Sequence, residues 1–263
     1  MRITFADYGE EIASSRLRAI IPQRELAKLG IERGRDVLVY GKHVVPMDTV
    51  RRFGKSVFDI CDDHFRDEFR DYYLEHAENA DLITCNSEVM RRIIKKETGR
   101  DAAIVHEPYE SDELPPTIGS NLLWFGHASN LPDLERIESR LTRPLLALTN
   151  KDGFPQWSPK AFRVAVATEC LVIIPTGKSL AKSENRMVEA IRCGKYVCAE
   201  PLPAYVPFAR FFPLGDIPEH IEKTLSNKEF SLECIKAAQE YIKDIYSPAA
   251  IGQEWMRAID EYL

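Results

Sequence analysis

The chain has 263 residues, of which 44% are hydrophobic and 29% charged, a composition typical of a globular protein. The 41 acidic residues exceed the 35 basic ones, so the overall charge gives no field that would attract nucleic acid or an anionic membrane surface. No apolar run approaches the roughly 18 residues of a membrane span, and the start "MRITFADYG" lacks the pattern of a secretory signal. We therefore expect a soluble, cytoplasmic protein without a transmembrane segment.

The six cysteines form no C-x-x-C pair, and most of them lie inside apolar runs. Structural metal sites and disulfide frameworks usually show a regular cysteine spacing, which this chain lacks. We expect reduced, buried thiols and no metal site. The cysteines stand at positions 61, 85, 170, 193, 198 and 234.

Short apolar runs alternate with amphipathic stretches in the first part of the chain. Such alternation predicts a parallel sheet with helices on both faces. Local signals agree, because Ser87 can cap one of these helices and Gly99 can end it. The predicted elements are "RITFA", "SSRLRAIIPQRELAKLG", "DVLVY", "SVFDICD", "DEFRDYYLEHAENA", "DLITCN", "SEVMRRIIKKETG" and "AAIVHEP".

The stretch "EPYESDELPPTIGS" has the composition of a linker, because it is rich in proline, serine and acids and shows no periodicity. Beyond it the alternation resumes and ends in a helical tail that breaks near Pro248. We predict one domain at 1–112, a second at 113–245 and a final helix at 246–263. The predicted elements of the second part are "NLLWFGH", "LPDLERIESRL", "PLLALTN", "SPKAFRVAVATE", "CLVIIP", a helix starting in "AKSENRM", "YVCAEP" and "IPEHIEKTLSN".

Two consecutive α/β domains imply a cleft faced by the carboxyl ends of both sheets. Clefts of this kind bind ligands. The sequence contains neither a P-loop nor the three-glycine dinucleotide fingerprint. These absences argue against a P-loop ATPase and against an ordinary NAD enzyme.

The helix predicted in "AKSENRMVEAIRCG" begins with cations. A helix start already carries about half a positive charge and usually favours acids, yet this one offers Lys182 and Arg186. The cations are explained if the helix start binds an anion. Backbone N–H groups between Ser183 and Arg186 would then hold a diphosphate, and the two cations would add charge-assisted hydrogen bonds.

Glu189 follows Arg186 by three residues and Asn185 by four, so all three can share one helix face. A carboxylate one turn below a phosphate site can accept hydrogen bonds from ribose hydroxyls. This arrangement predicts a nucleotide site. The alternative from the residues alone is a surface Arg186–Glu189 ion pair worth a few tenths of a kcal/mol.

The segment "ENRMVEAIRCGKYVCAEPLPAY" resembles the carboxyl-terminal domain of GT-B glycosyltransferases. It is most similar to the large retaining family, glycosyltransferase family 4-like, whose donor-site helix reads Asn, Lys or Arg, two variable residues and Glu. Asn185, Arg186 and Glu189 fit this pattern, and Ala190 and Gly194 fit the small residues that come after it. The likeness extends to "ADLITCNSEVMRRI", "VFDICDDHF" and "SSRLRAIIPQRELAKLG".

The resemblance implies two Rossmann-like domains, a deep cleft between them and a final helix that crosses back to the first domain. A nucleotide sugar, a UDP- or GDP-sugar, would bind the second domain, with Arg186 on the diphosphate and Glu189 on the ribose. The turn "FGHASN" would bring Gly126, and with it His127 and Asn130, close to the phosphates.

The chain departs from the family at two places. The family carries a first acid eight residues before the position of Glu189, where this chain has Ala181. The glycine-rich first loop is reduced to Gly9. Phosphate contacts from the first domain are therefore expected from the helix that begins near Ser14, with Arg18 as the cation.

The cluster Asp62, Asp63 and His64 follows a predicted strand of the first domain and is the candidate for catalytic work on the acceptor. The alternative is that these residues cap a loop. The diphosphate leaving group could be stabilised by Arg186, Lys182 and helix N–H groups, so no metal cofactor is expected.

The sequence therefore predicts a metal-independent glycosyltransferase whose acceptor is a saccharide or a lipid-linked sugar. A hydroxylated nucleic-acid base is an alternative acceptor that the acidic net charge disfavours. A different class also stays open, since the missing first acid fits a non-catalytic nucleotide-binding or regulatory module.

Overall fold

The structure is a computed structural model that describes residues 1–177 and 180–263. The chain divides into two compact units. The first unit consists of Met1–Pro108 and Ile245–Leu263, and the second of Tyr109–Asp244. Within the described ranges, none of the helices has the length and apolar character needed to cross a membrane.

The first unit contains a parallel five-stranded sheet, counted over the described residues, in the order β1-β2-β3-β4-β5. Every residue of β2 and of β4 is buried, as expected for strands covered on both faces. This burial explains why these strands read as continuous apolar runs. The strands are β1 (Ile3–Phe5), β2 (Val37–Tyr40), β3 (Lys55–Ile60), β4 (Leu82–Cys85) and β5 (Ala103–Ile104).

The first predicted helix is interrupted by a π-helical turn, Arg16–Ile20, between the helical segments Ala13–Ser15 (α1) and Ile21–Lys28 (α2). Ser87 caps α5 through a bond from the Met90 N–H (3.2 Å), and Gly99 ends it with a positive φ of 73°, as the sequence predicts. The helices that precede the linker are α1 (Ala13–Ser15), α2 (Ile21–Lys28), α3 (Met47–Val50), α4 (Arg70–Asn79) and α5 (Glu88–Thr98).

The second unit contains a parallel four-stranded sheet in its described part, in the order β7-β6-β8-β9. Its strands are β6 (Asn121–Phe125), β7 (Leu145–Leu148), β8 (Cys170–Ile174) and β9 (Val197–Ala199). The helices after the linker are α6 (Leu131–Glu138), α7 (Pro159–Val166), α8 (Asn185–Arg192), α9 (Ile217–Ser226), α10 (Lys228–Tyr246) and α11 (Pro248–Tyr262).

The last helix, α11, belongs to the core of the first unit. Trp255 is fully buried there and meets Phe5 edge-on, with ring centroids 5.0 Å apart. Ser247 caps this helix and Pro248 starts it, which confirms the break predicted in the tail.

The linker segment is bonded to the second unit rather than free. The N–H groups of Leu114 and Thr117 donate to the carbonyls of Arg192 (3.1 Å) and Gly194 (3.0 Å). A Cβ at Gly194 would come within 2.4 Å of the Pro115 carbonyl oxygen. The linker therefore lies so close to Gly194 that only glycine fits at this position. The first unit ends at Pro108, four residues before the predicted domain boundary at residue 112.

Candidate functional site

At the carboxyl edge of the second sheet, Gly126 and Arg186 lie side by side. A Cβ at Gly126 would stand 3.4 Å from Arg186 Nη1 and 3.3 Å from the Trp124 ring. The missing side chain thus lets the guanidinium approach the backbone closely. Arg186 Nη1 is buried and has no hydrogen-bond partner among residues 1–177 and 180–263. A buried guanidinium nitrogen without an acceptor is costly, so it marks a place where an anionic ligand would fit.

Helix α8 begins at Asn185, so Lys182 and Ser183 precede the helix instead of forming its first turn. Glu184 stands at the N-cap position, and no acid lies in the first turn of the helix. Lys182 Nζ donates to the Asn130 side-chain oxygen, which joins the loop before α8 to the loop after β6. The structure thus brings Lys182 and Asn130 together, as it does Arg186 and Gly126.

The loop after β6 is held by its own side chains. His127 Nδ1 accepts a hydrogen bond from the Ser129 N–H (3.2 Å), and its ring is exposed. The Ala128 N–H donates to Asn150 Oδ1 (2.8 Å), which ties this loop to the end of β7. His127 therefore caps its loop in this structure, and the prediction that it approaches a phosphate stays a prediction.

Glu189 is buried, with 6% of its surface exposed, in the middle of α8. One carboxylate oxygen, Oε1, accepts a hydrogen bond from the Glu110 N–H, while Oε2 is buried and has no partner among the described residues. Burial raises the pKa of Glu189 to about 7, although the hydrogen bonds from the linker oppose this rise. Among the described residues, Glu189 is thus bonded to the linker rather than paired with Arg186.

Two buried aromatic residues near Arg186 were not predicted from the sequence. Trp124 and Tyr205 are fully buried, and Trp124 Nε1 has no hydrogen-bond partner among the described residues. Burial raises the pKa of Tyr205, and the positive charge of Arg186 opposes this rise. Both residues lie in apolar stretches that read as ordinary core, so no sequence signal set them apart.

Arg18 lies in the first unit, and all three of its guanidinium nitrogens donate hydrogen bonds to acceptors of that unit. It is 5% exposed and forms two hydrogen bonds with Asp59, from Nε (2.9 Å) and Nη2 (2.6 Å). Nη1 donates to the carbonyls of Val105 and His106. Burial lowers the pKa of Arg18, but Asp59 outweighs this effect and the pKa ends above its usual value. This set of contacts is that of a structural arginine, and phosphate binding by Arg18 stays a prediction.

The predicted acceptor cluster lies in the loop after β3, and each of its members has a local partner. Asp62 forms an ion pair with Lys42 (2.6 Å). Asp63 accepts a hydrogen bond from the Phe65 N–H (3.3 Å), and His64 Nδ1 is hydrogen-bonded to the Asp67 carboxylate (2.6 Å). These contacts are those of a capped loop. His64 Nε2 is buried and has no partner among the described residues, and catalytic work of this cluster on the acceptor stays a prediction.

Among the described residues, no three His, Cys, Asp or Glu side chains are grouped in a way that could hold a metal ion. Five of the six cysteines are buried and Cys234 is half-buried, as expected for reduced core thiols.

Comparison with known proteins gives matches only at the level of structure. No family model matches the sequence, and no curated protein does. A point mutant of TarM from S. aureus, solved in complex with fondaparinux, α-GlcNAc-glycerol and UDP, matches with a TM-score of 0.59 and 12% identity over 85% of this chain. Another structure of TarM matches with a TM-score of 0.57 and the same identity and coverage. The chain spans about half the length of these structures, 55% and 54%.

The matches show a shared fold, a mixed α/β architecture with parallel Rossmann-like sheets. At this identity the likeness alone carries no activity from one chain to the other.

Proposed function

We propose that the protein is a glycosyltransferase that moves a sugar from a nucleoside diphosphate to a hydroxyl acceptor. The observation that carries this proposal is the buried, unpartnered Nη1 of Arg186 beside Gly126 at the start of α8. An arginine in this position needs an anionic ligand, and the helix start adds N–H donors for the same ligand. One TarM structure with a similar fold holds UDP together with α-GlcNAc-glycerol, a nucleoside diphosphate and a glycosylated alcohol.

In this proposal the diphosphate of a UDP- or GDP-sugar contacts Arg186, Lys182, Ser183 and Asn185, with the Gly126–His127 turn close by. The positive charges stabilise the negative charge that develops on the diphosphate when the sugar leaves. Transfer would then need no resident metal ion, because these cations supply the electrostatic stabilisation.

Glu189 would bind the ribose through its buried carboxylate. Its free Oε2 can accept one ribose hydroxyl, and Oε1 would exchange its bond to Glu110 for a second one. The acceptor would be a saccharide or a lipid-linked sugar. This arrangement is that of the GT-B fold, and the retaining family 4-like group has the motif that fits Asn185, Arg186 and Glu189.

Thermal unfolding in the presence of UDP, GDP, ADP, CMP and their common sugar conjugates tests the proposal. A nucleotide at about 100 times its Kd adds about 2.7 kcal/mol to the unfolding free energy, which raises the melting temperature by several degrees. Arg186→Ala and Glu189→Ala should each reduce this gain. Arg163→Ala, which removes an exposed arginine from α7, is the matched control and should leave the gain unchanged.

The proposal fails if no nucleotide stabilises the wild-type protein, or if Arg186→Ala keeps the full gain. A nucleotide-binding module without transferase activity is the second candidate, favoured by Ala181. An alanine has no carboxylate to offer a donor sugar, and Ala181 is also buried, 6% exposed. Release of free sugar from the stabilising nucleotide sugar, or its transfer to a saccharide, would exclude the non-catalytic module. Transfer to a hydroxylated base in DNA would instead favour the nucleic-acid acceptor.

A further inference from the structure

A groove of the first unit lies between the helix that includes α2 and the turn that follows this helix. Its volume is about 510 Å³, which is within the range of small-molecule sites. One wall is the turn 30–33. The other wall is one face of the helix, on which the lining residues recur at the spacing i, i+3, i+4 and i+7: Ile20, Gln23, Arg24 and Ala27.

The turn is held in place by backbone hydrogen bonds. The Ile31 N–H donates to the Leu26 carbonyl (3.0 Å) of the helix, and the Ile3 N–H of the edge strand β1 donates to the Glu32 carbonyl (2.9 Å). Gly30 ends the helix with a positive φ of 82°. The wall formed by the turn is therefore fixed to both the helix and the sheet.

Gln23 lines the groove and is 8% exposed. Its Oε1 accepts hydrogen bonds from the Phe5 N–H (3.1 Å) and from Arg33 Nε (3.2 Å). Because both partners are donors, the oxygen of the amide must face them, which fixes the position of the nitrogen. Nε2 is buried and has no hydrogen-bond partner among the described residues. The group that lacks a partner is thus a donor, and it needs an acceptor.

A buried glutamine of the second unit has its amide nitrogen satisfied. Gln239 in α10 is 5% exposed, and its Nε2 donates to the carbonyls of Leu114 (2.9 Å) and Arg192 (3.3 Å). This is the usual state of a buried donor, because an unpaired one is destabilising. Gln23 therefore favours a ligand that brings an oxygen atom to Nε2.

Four charged residues line the groove, and two of them, Arg33 and Asp7, form an ion pair (3.2 Å). Arg24 is exposed and forms no ion pair in the part of the chain that the structure describes. Its guanidinium can therefore bind an anion. Glu32, also exposed, adds a negative charge on the other wall, which disfavours a dianion such as a phosphate ester. The charges thus favour a ligand with a single negative charge.

Apolar side chains stand on both walls, Ile20 and Ala27 on the helix and Ile31 on the turn. They can pack against the hydrocarbon part of a ligand. We propose that this groove binds a small carboxylic acid with an apolar body, whose carboxylate accepts hydrogen bonds from Gln23 Nε2 and Arg24. The inference is independent of the proposed transfer, because none of the described residues that line the groove belongs to the donor or acceptor assignments.

The test is a proton–nitrogen correlation NMR titration of the full chain that follows the side-chain amide signals of Gln23 and Gln239. Each set of signals is identified by its loss when that glutamine is replaced by glutamate. The probe is 4-methylpentanoate. We expect it to move a Gln23 Nε2–H signal to lower field, because a charge-assisted hydrogen bond forms there. The Gln239 signals should stay in place, because that amide already has its acceptors.

Two analogues, compared by calorimetric titration, separate the charge of the probe from its apolar body. The neutral 4-methylpentanamide and the short acetate should each bind at least about tenfold more weakly than 4-methylpentanoate. Arg24→Ala should lower the affinity for 4-methylpentanoate about tenfold. Arg52→Ala is the matched control, because it removes an exposed arginine of the same unit that does not line the groove, and it should leave the affinity unchanged.

Gln23→Glu keeps the oxygen that bonds to the Phe5 N–H and replaces the donor by a second oxygen, so it should abolish binding. The wild-type titration needs no variant, and melting temperatures without ligand show whether each variant is folded. The proposal is overturned if 4-methylpentanoate does not move the Gln23 signals, if the amide or inorganic phosphate binds as tightly, or if Arg24→Ala keeps the full affinity. Nucleotide stabilisation, measured separately, decides the proposed function.

Discussion

Two arginines occupy comparable places, one near the carboxyl edge of each sheet, and their surroundings differ. Arg18 in the first unit is 5% exposed and bonded to Asp59, Val105 and His106. Arg186 in the second unit is half-buried, and its Nη1 has no partner among the residues described. Both were predicted from the sequence to contact phosphate. The difference teaches that an arginine is available to a ligand only where the fold has not already supplied its acceptors.

The comparison predicts that removing Arg18 damages the fold. Arg18→Met would leave the carboxylate of Asp59 buried and without its ion pair. We expect the unfolding free energy to fall by about 3–5 kcal/mol, measured by urea denaturation. Nucleotide should still raise the melting temperature of the folded Arg18→Met protein.

The double variant Arg18→Met/Asp59→Leu serves as the control, because it removes both charges. Replacing a buried ion pair by apolar groups is often nearly neutral, so this variant should recover part of the loss. If Arg18→Met were instead as stable as the wild type but bound nucleotide poorly, Arg18 would be a phosphate ligand after all.

The next largest change in unfolding free energy is expected from the protonation of Glu189. With a folded pKa of about 7 against an ordinary value of 4.5, this carboxyl binds more protons in the folded than in the unfolded chain between these pH values. The contribution of Glu189 to the unfolding free energy therefore declines as the pH rises from about 4.5 to about 7, by about 3 kcal/mol in total. Glu189→Gln removes this decline.

The measurement compares the urea midpoints of the wild type and Glu189→Gln at about pH 5 and about pH 8. The variant should gain stability relative to the wild type as the pH rises. Glu240→Gln, which changes an exposed glutamate of α10, should show no such relative gain. An equal pH dependence in wild type and Glu189→Gln would contradict the predicted pKa.

A smaller effect is expected from Gly126→Ala. The new methyl group would stand 3.3–3.4 Å from the Trp124 ring and Arg186 Nη1, so the guanidinium must shift by a few tenths of an ångström. We expect a stability loss of about 1 kcal/mol and weaker nucleotide binding, measured by calorimetric titration. In the double variant with Arg186→Met, the methyl group should have little further effect on affinity, because the two residues act together. Additive losses would show that Gly126 acts independently of Arg186.

The smallest effect on stability is expected for Arg186→Met, in contrast to Arg18→Met. Because Nη1 of Arg186 has no partner in the part of the chain that the structure describes, its removal should change the unfolding free energy by less than about 1 kcal/mol. Thermal unfolding without nucleotide checks this value. A loss comparable to that of Arg18→Met would mean that both arginines are structural, and the contrast between the two units would disappear.

Much of the fold could be predicted from local patterns. The alternation of apolar runs and amphipathic stretches indicated parallel α/β units, and the Ser87 and Gly99 signals marked the ends of α5 correctly. These predictions succeeded because strand burial and helix capping depend on residues close in sequence. The short helix Met47–Val50 and the π-helical turn Arg16–Ile20 have no comparable local signal and were not predicted.

The candidate site was predictable in part. The Arg186 and Gly126 segments were named from the sequence, and the fold places them in contact. The start of α8 was predicted too early, because the cations suggested a helical first turn that in fact begins at Asn185. Trp124 and Tyr205, the buried aromatic residues near Arg186, were missed because they lie in apolar stretches that gave no signal.

By itself, the sequence determined the class of the fold, the order of its elements and the segments that lie at the carboxyl edge of each sheet. Only the tertiary structure decided which polar groups there are free for a ligand. Arg18 is hydrogen-bonded to Asp59, 41 positions away in the sequence, and Glu189 to the N–H of Glu110 in the linker, 79 positions away. Hydrogen-bond partners at such separations are chosen by the packing of the whole unit, which no local pattern of residues encodes.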